Sequence, residues 1–512
     1  RHVDALDVAE RSVDDLLGMV RSHYQLAENR PAARATIAIR TPSQSDDGWT
    51  CGGATVVQIV TDDRPFLVDS VSREVLRQGR SIREVFPPQC PVGRDLRGAL
   101  CGILTAEQAA SGAPRRGSTD QPVNVVAESW MHLEITPPSG QGHPERLTEA
   151  LEQGLREVLQ LVEDAVEDWA KMQQRAGETV ALLTYGELPA GRRTEGEVAA
   201  ELLSWLTNSH FTFLGYREYR YQPADPETGT PASYVAVPAT GLGILRGDAD
   251  EASTFHALPR DDHPLLLVIT KDSYKSRVHR PSYLDYLGIR LFDAAGNVVG
   301  ERRFLGLFAS TAYSESVTRI PLLRQKAREV LRRSQYDESS HGGKAVMDVL
   351  ETFPRDELFQ SPIAELAPTI EKVAHLKERR QVRLFVRRDP YGRYLSCIVY
   401  LPRDRYTTAV RNKMQDILVN GLGGSSIEFT ARVTESVLAR LHFVVGMPRG
   451  TASGEVDVRA LERELTLATR SWDDEFAELL PGARNPDLLA ERVKGLPEGY
   501  KEDYRPQQGI MD

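Results

Sequence analysis

The residues best placed to do chemistry sit in two short turns. TDDRPF sets Asp62, Asp63 and Arg64 between an apolar β-branched run and a helical pattern, and LPRDRYTT sets Asp404 and Arg405 in the same relation further on. An aspartate at such a junction can cap the helix, while the helix's free N–H groups can hold the carboxylate of a small ligand. Capping and effector binding are both open here, so Asp62, Asp63, Arg64, Asp404 and Arg405 are the candidate effector-binding residues.

Other chemistries find less support, and no catalytic, cofactor-binding or metal-ligating residue is assigned. GLGILRG (241–247) lacks the last glycine of a dinucleotide turn, GLGGSS (421–426) follows a helix rather than opening one, and HGGKAV (341–346) lacks P-loop spacing. The eleven histidines form no HExxH pair, no GxSxG elbow is present, and four scattered cysteines contain no CxxC. Free cysteines of this kind suit the cytoplasm. The basic run TKDSYKSRVHRP (270–281) reads as a solvated face or an interface, with binding of an acidic ligand or a partner domain as the alternative.

NSHFTFLGYREYRYQ (208–222) packs five aromatic rings into 15 residues. Such spacing also occurs on RNA-binding sheets. With 63 basic against 73 acidic residues and a net charge of −10, the chain is a poor polyanion partner, so a buried strand is the better reading. Phe211 and Phe213 are expected in the core, with Tyr219 and Tyr221 nearer an exposed end. No apolar run is long enough for a membrane helix.

The elements that must position these residues fall into several domains, as 512 residues imply. A helical stripe (Leu6, Val13, Leu16, Leu17, Val20) precedes Pro31. The run 54–60, a helix from Phe66 to Gly79, an alternating run 122–136 and one long helix over 144–175 then give an α+β sandwich, its sheet covered by helices on one face. SGAPRRGSTD (111–120) reads as a loop, and GETV (177–180) as a break. Thr194 and Glu197 fit a capping box before EVAAELLSWLT. The opening stretch 208–222 and strands at 233–238, 265–270, 286–293 and 303–309 make a five-strand, mostly antiparallel domain with a hairpin at AAGNVV. Its closing helix starts at Pro321. KAVMDVLETF and SPIAEL…LKERR are connector helices. Two strands around DPYG, a helix stopped by GLGG, a strand pair and a last helix make a third α+β unit.

The two strand–turn–helix units resemble ACT domains, βαββαβ modules that bind amino acids or pair sheets edge to edge. In TDDRPFLVDSV, Phe66 stands where a glycine usually admits a ligand, which favours docking over binding. HFTFLGYREY, KSRVHRPSYLDYLGIRLFD, GERRFLGLF, LETFPRDELFQ and LPRDRYTTAVR together resemble the amino-terminal half of the large bacterial NAD-dependent glutamate dehydrogenases. That resemblance implies an amino-terminal helix (1–30), a first ACT-like domain (31–178), a PAS-like domain (179–338), a helical connector (339–380), a second ACT-like domain (381–484) and a linker toward a further domain (485–512). It also implies that NAD and catalysis belong to the parent, with this segment inactive and lacking its own cofactor. The partners it implies are the catalytic domain of the same polypeptide, further copies in a homo-oligomer and an amino-acid effector. A scaffold that binds nothing small, or a self-standing amino-acid sensor, are the alternatives.

Overall fold

The protein is described here from a computed structural model, over residues 9, 11–110, 123–137, 143–225, 227, 229–230, 232–247, 255–256, 265–376, 379–389, 391–434, 436–448, 456–470, 474, 476, 481 and 491. The loop expected at 111–120, Leu6 and nearly all of 485–512 lie outside these residues. Two compact units emerge, one running to Ala309 and one from Ser310.

The first unit opens with α1 (Val13–Ala27), capped by Ser12, which accepts the Asp15 N–H. Next come β1 (Thr36–Arg40), β2 (Thr55–Asp62), α2 (Leu67–Arg77), β3 (Ile82–Phe86), β4 (Gln89–Arg94), β5 (Leu100–Ile103), the short α3 (Ala106–Ala110) and β6 (Asn124–Ile135). Their antiparallel sheet runs β1-β2-β6-β4-β5, with β3 also on β6. Helices were expected on one face only. Instead Ser22 and His23 of α1 bond Gln58 and the Ile59 carbonyl, so the face carrying Gln58, Trp130, His132 and Glu134 is buried too. Val57, Ile59, Met131, Leu133 and Ile135 fill the opposite face. The polar residues alternating along β6 are therefore interior, and need partners there.

The long helix expected over 144–175 is two: α4 (Pro144–Glu167) and α5 (Trp169–Tyr185), broken at Asp168. GETV lies inside α5 rather than ending a segment. Asp168, 1% exposed, accepts the Gly243 N–H at 3.0 Å and Arg246 Nε at 2.9 Å. Residue 243 has to be glycine, since φ is +60° and a Cβ would run into the Leu214 carbonyl. In GLGILRG it is thus Gly243 that serves a buried carboxylate. Helix α6 (Arg193–Trp205) starts after Arg192 without a side-chain cap, so the expected Thr194/Glu197 box is not formed.

The second sheet of this unit comprises β7 (Phe211–Gln222), β8 (Ser233–Ala236), β9 (Leu242–Gly243), β10 (Phe255–His256), β11 (Leu267–Lys275), β12 (Tyr283–Phe292) and β13 (Val298–Phe308). It is seven-stranded in the order β10-β8-β7-β13-β12-β11, with β9 on β7, two short strands more than expected. The aromatic strand is core. Register against β13 skips Leu214, and Phe213, Leu214, Tyr216 and Tyr219 are all buried. Tyr219 is thus interior rather than near an exposed end, its ring under the Arg303 guanidinium at 4.0 Å.

The second unit contains α7 (Ser310–Ser314), α8 (Leu323–Ser334), α9 (His341–Thr352), α10 (Arg355–Gln360) and α11 (Ile363–Leu376). Pro321 precedes the N-cap Leu322, whose φ of 64° starts α8, so the proline is outside the helix. A four-stranded antiparallel sheet follows, β14-β15-β17-β16, from β14 (Arg383–Arg388), β15 (Tyr394–Pro402), β16 (Ser426–Arg432) and β17 (Leu438–Gly446). Helices α12 (Thr408–Leu422) and α13 (Val458–Ala468) cover one face through Met414, Leu418, Leu461 and Leu465. Gly423, φ +67°, ends α12 as GLGG implied.

Candidate functional site

Strand β2 ends in the first charged turn. Asp62 pairs with Arg30, and Arg30 Nε donates to Glu128 at 2.8 Å. Glu128 is fully buried and also takes Arg94 and the Trp130 indole N–H. Burial alone would raise its carboxyl, but these donors and the two arginines hold it below the usual range. Asp63 accepts Gln89 Nε2 at 3.0 Å, and Arg64 reaches Glu163 at 3.0 Å. The structure therefore brings Asp62, Asp63 and Arg64 together, each with a protein partner.

Neither aspartate caps α2. Its N-cap is Phe66, at φ 71° and with no side-chain cap bond. A non-glycine residue held there is under strain of about 1–3 kcal/mol. The Phe66 ring lies 4.8 Å from that of His279, whose own φ is 69°. The His279 N–H donates to Ser70 Oγ, and Arg277 reaches Glu74, Glu157 and the Gly154 carbonyl. Within KSRVHRP, Arg277 and His279 dock on the start of α2 and on α4, an interface rather than a solvated face.

The second turn is a 3-10 segment, Arg403–Arg405. Thr407, not Asp404, caps α12 by accepting the Val410 N–H at 3.1 Å. Asp404 is exposed, 3.5 Å from Arg380, and Arg405 clasps Asp474.

Charged groups absent from the expectation occupy the open face of the β14–β17 sheet. Glu357, on α10, accepts Arg387 Nε and Nη2 of β14, both at 2.7 Å. Arg387 and Tyr394 also donate to Gln360 Oε1. Burial would raise the Glu357 carboxyl, yet Arg387 outweighs it and holds the group at about 2. Burial keeps His442 below its usual range, and its Nε2 lies 2.9 Å from Ser396 Oγ. Beside the pair is a cavity of about 290 Å³ lined by Phe353, Ser361, Thr369, Phe385 and Ser396. Lys326 braces α10 from behind, donating to the Leu358, Phe359 and Ser361 carbonyls at 2.8 Å each. Burial pushes its ammonium down toward about 7, while those three acceptors favour the charged form.

Sequence reasoning passed over Glu357, Arg387 and Lys326. The signal was LETFPRDELFQ, in which a glutamate shares a helical turn with Leu358 and Phe359.

The folds fit a recognisable class. The chain matches family models for the ACT1 domain of glutamate dehydrogenase over residues 1–151 and the ACT2 domain over 383–473. Helical motifs 1 and 2 of the same enzyme match at 320–379 and 475–512. It is 37% identical to the NAD-specific glutamate dehydrogenase of Pseudomonas aeruginosa, over 99% of this chain and 30% of that protein. The corresponding enzyme of Halomonas elongata is 32% identical over 99% of this chain and 31% of its own length; that of Mycobacterium tuberculosis is 33% identical over 96% and 29%. The chain belongs to the family of large bacterial NAD-dependent glutamate dehydrogenases. It spans about a third of the length of these curated relatives. Among the described residues, no helix is long and apolar enough to cross a membrane.

Proposed function

We propose that this chain is the regulatory and oligomerising segment of an NAD-dependent glutamate dehydrogenase. Its parent would convert L-glutamate, NAD and water to 2-oxoglutarate, ammonia and NADH, with catalysis carried by another domain of the same polypeptide. On this reading the seven-stranded sheet takes the PAS-like position between the two ACT domains, the segment alone has no dehydrogenase activity, and the protein works in the cytoplasm. Four free cysteines agree with that compartment.

The observation that carries the regulatory reading is the Glu357–Arg387 pair beside a small cavity between the connector helices and the second ACT sheet. An amino acid has one ammonium and one carboxylate, so it can exchange partners with both side chains at once. Such an exchange would shift how α10 sits on β14, and coupling of this kind is worth about 1–3 kcal/mol.

The first ACT junction favours the docking role. An effector at Asp62, Asp63 or Arg64 would have to displace Arg30, Gln89 or Glu163, and at Arg405 it would displace Asp474. Phe66 and His279 already fill the start of α2.

The test is a thermal-shift screen of this chain against the amino acids, 2-oxoglutarate and NAD. A ligand at about 100 times its Kd adds about 2.7 kcal/mol to the unit that binds it. One amino acid should raise the melting of the second unit, and Arg387→Met should remove that shift. No shift with any ligand leaves the scaffold reading in its place, and glutamate-dependent NAD reduction by this chain alone refutes the assignment of catalysis elsewhere.

A further inference from the structure

A cluster of unlike side chains in the first ACT domain lies apart from the charged turns and the Glu357–Arg387 pair. Cys51, just before β2, and His132 and Glu134, two residues apart on β6, bring a sulfur, a ring nitrogen and a carboxylate oxygen within 4.8 Å of one another. Period two puts His132 and Glu134 on the same face, the one under α1.

The His132 ring is buried, 2% exposed, and its Nε2 has no hydrogen-bond partner. It lies 3.5 Å from Glu134 Oε1, beyond the ~3.2 Å reach of an ordinary N–H···O bond. A buried ring nitrogen without a bond calls for a cause. The spacing suggests one. Two ligands about 2.0–2.1 Å from a tetrahedral ion stand about 3.3 Å apart, and a thiolate and an imidazole about 3.6 Å. Closing the cluster to those edges needs movements of about an ångström. Thiolate, imidazole and carboxylate together suit zinc-class ions, whereas calcium and magnesium prefer all-oxygen sets.

We propose that Cys51, His132 and Glu134 form a binding site for a single zinc-class divalent cation, with solvent completing the coordination.

Two neighbours set its strength. Arg11 Nη1 donates to Glu134 Oε1 at 2.5 Å, so this guanidinium is the cation that the metal must compete with. Gln58 Nε2 lies 3.3 Å from His132 Nδ1, and Gln58 Oε1 accepts from Ser22 Oγ. A metal on Nε2 requires the ring proton on Nδ1, so the Gln58 amide must turn over to accept it. A cysteine thiol is mostly protonated at neutral pH. Binding at neutral pH therefore forms one S–metal bond and releases the thiol proton to solvent.

The whole chain, stripped with a chelator and titrated with Co²⁺, tests this. The expected result is a thiolate-to-cobalt charge-transfer band that saturates at one equivalent and is discharged by Zn²⁺. Cys51→Ser should lose the band, and Glu134→Gln should weaken binding on the order of tenfold or more. Arg11→Gln removes the competing cation and should tighten binding. Because that variant predicts a gain, it keeps the test decisive if Cys51→Ser folds poorly. Absence of the band at one equivalent overturns the proposal. So does a band that survives Cys51→Ser, which assigns the metal to Cys90, Cys101 or Cys397, and so does weaker binding in Arg11→Gln.

Discussion

Replacing Arg387 by methionine should damage the second unit out of proportion to the size of the change. Glu357 is 4% exposed and Arg387 8%, and two 2.7 Å bonds join them. Taking away one partner strands a buried charge, which costs about 3–5 kcal/mol. The proton balance points the same way. Glu357 falls from 4.5 to about 2 in the folded state. At 1.36 kcal/mol per pH unit that is about 3 kcal/mol. The folded value is depressed, so this stability is fully present above pH 4.5 and is lost as pH falls from there through about 2. In Arg387→Met the sign should reverse, because burial alone raises a carboxyl, and acid should then rescue the variant. Glu357→Leu combined with Arg387→Met should recover most of the loss, since a well-packed apolar pair is often as stable as a buried ion pair. Two compact units make a single global transition an unsafe measure. The readout is therefore amide hydrogen exchange in β14 and β15, compared across the double-mutant cycle. A single substitution costing less than about 1 kcal/mol, or a double variant as weak as the singles added together, would refute this reasoning.

Three further outcomes can be checked. Asp168→Ala leaves the Gly243 N–H without its acceptor, while Arg246 keeps Asp164 and Glu167, so thermal melting of the first unit should show a loss of about 1–3 kcal/mol. Phe66→Gly removes left-handed strain but also the ring against His279. The terms offset to within about 1 kcal/mol, so hydrogen exchange should rise at residues 276–282 with little change in the urea midpoint. Lys326→Met leaves three carbonyls without their ammonium donor and should cost about 2–4 kcal/mol, read by hydrogen exchange in α10.

What could be read in the sequence was what local forces decide. The β-branched run at 54–60 became β2, the alternating run at 122–136 became β6, and AAGNVV closed the β12–β13 hairpin. Positions settled by distant partners could not be read this way. Apolar spacing runs unbroken through residue 168, and the helix breaks there because Gly243 and Arg246 take the aspartate's oxygens. The short strands β3 to β5 are held by pairing, and contain Pro91, Gly93 and Gly102, which local propensity counts against a strand. Strict alternation along β6 signalled one wet face, but α1 returned to cover it.

The same limit applied to the sites, with a different physical reason in each. The Asp-Arg turns were conspicuous because charge concentrates in them, yet Asp62, Arg64 and Arg405 are paired with Arg30, Glu163 and Asp474, distant in sequence. Glu357 had no assigned role in the sequence, because its partner Arg387 lies thirty positions on. His132 and Glu134 were visible together, as any His-x-Glu on a strand is, and Cys51 came from a separate loop. A desolvated polar group must find a partner wherever the chain can supply one. Those partners came from far along the sequence, and so the sites they built were legible only in three dimensions.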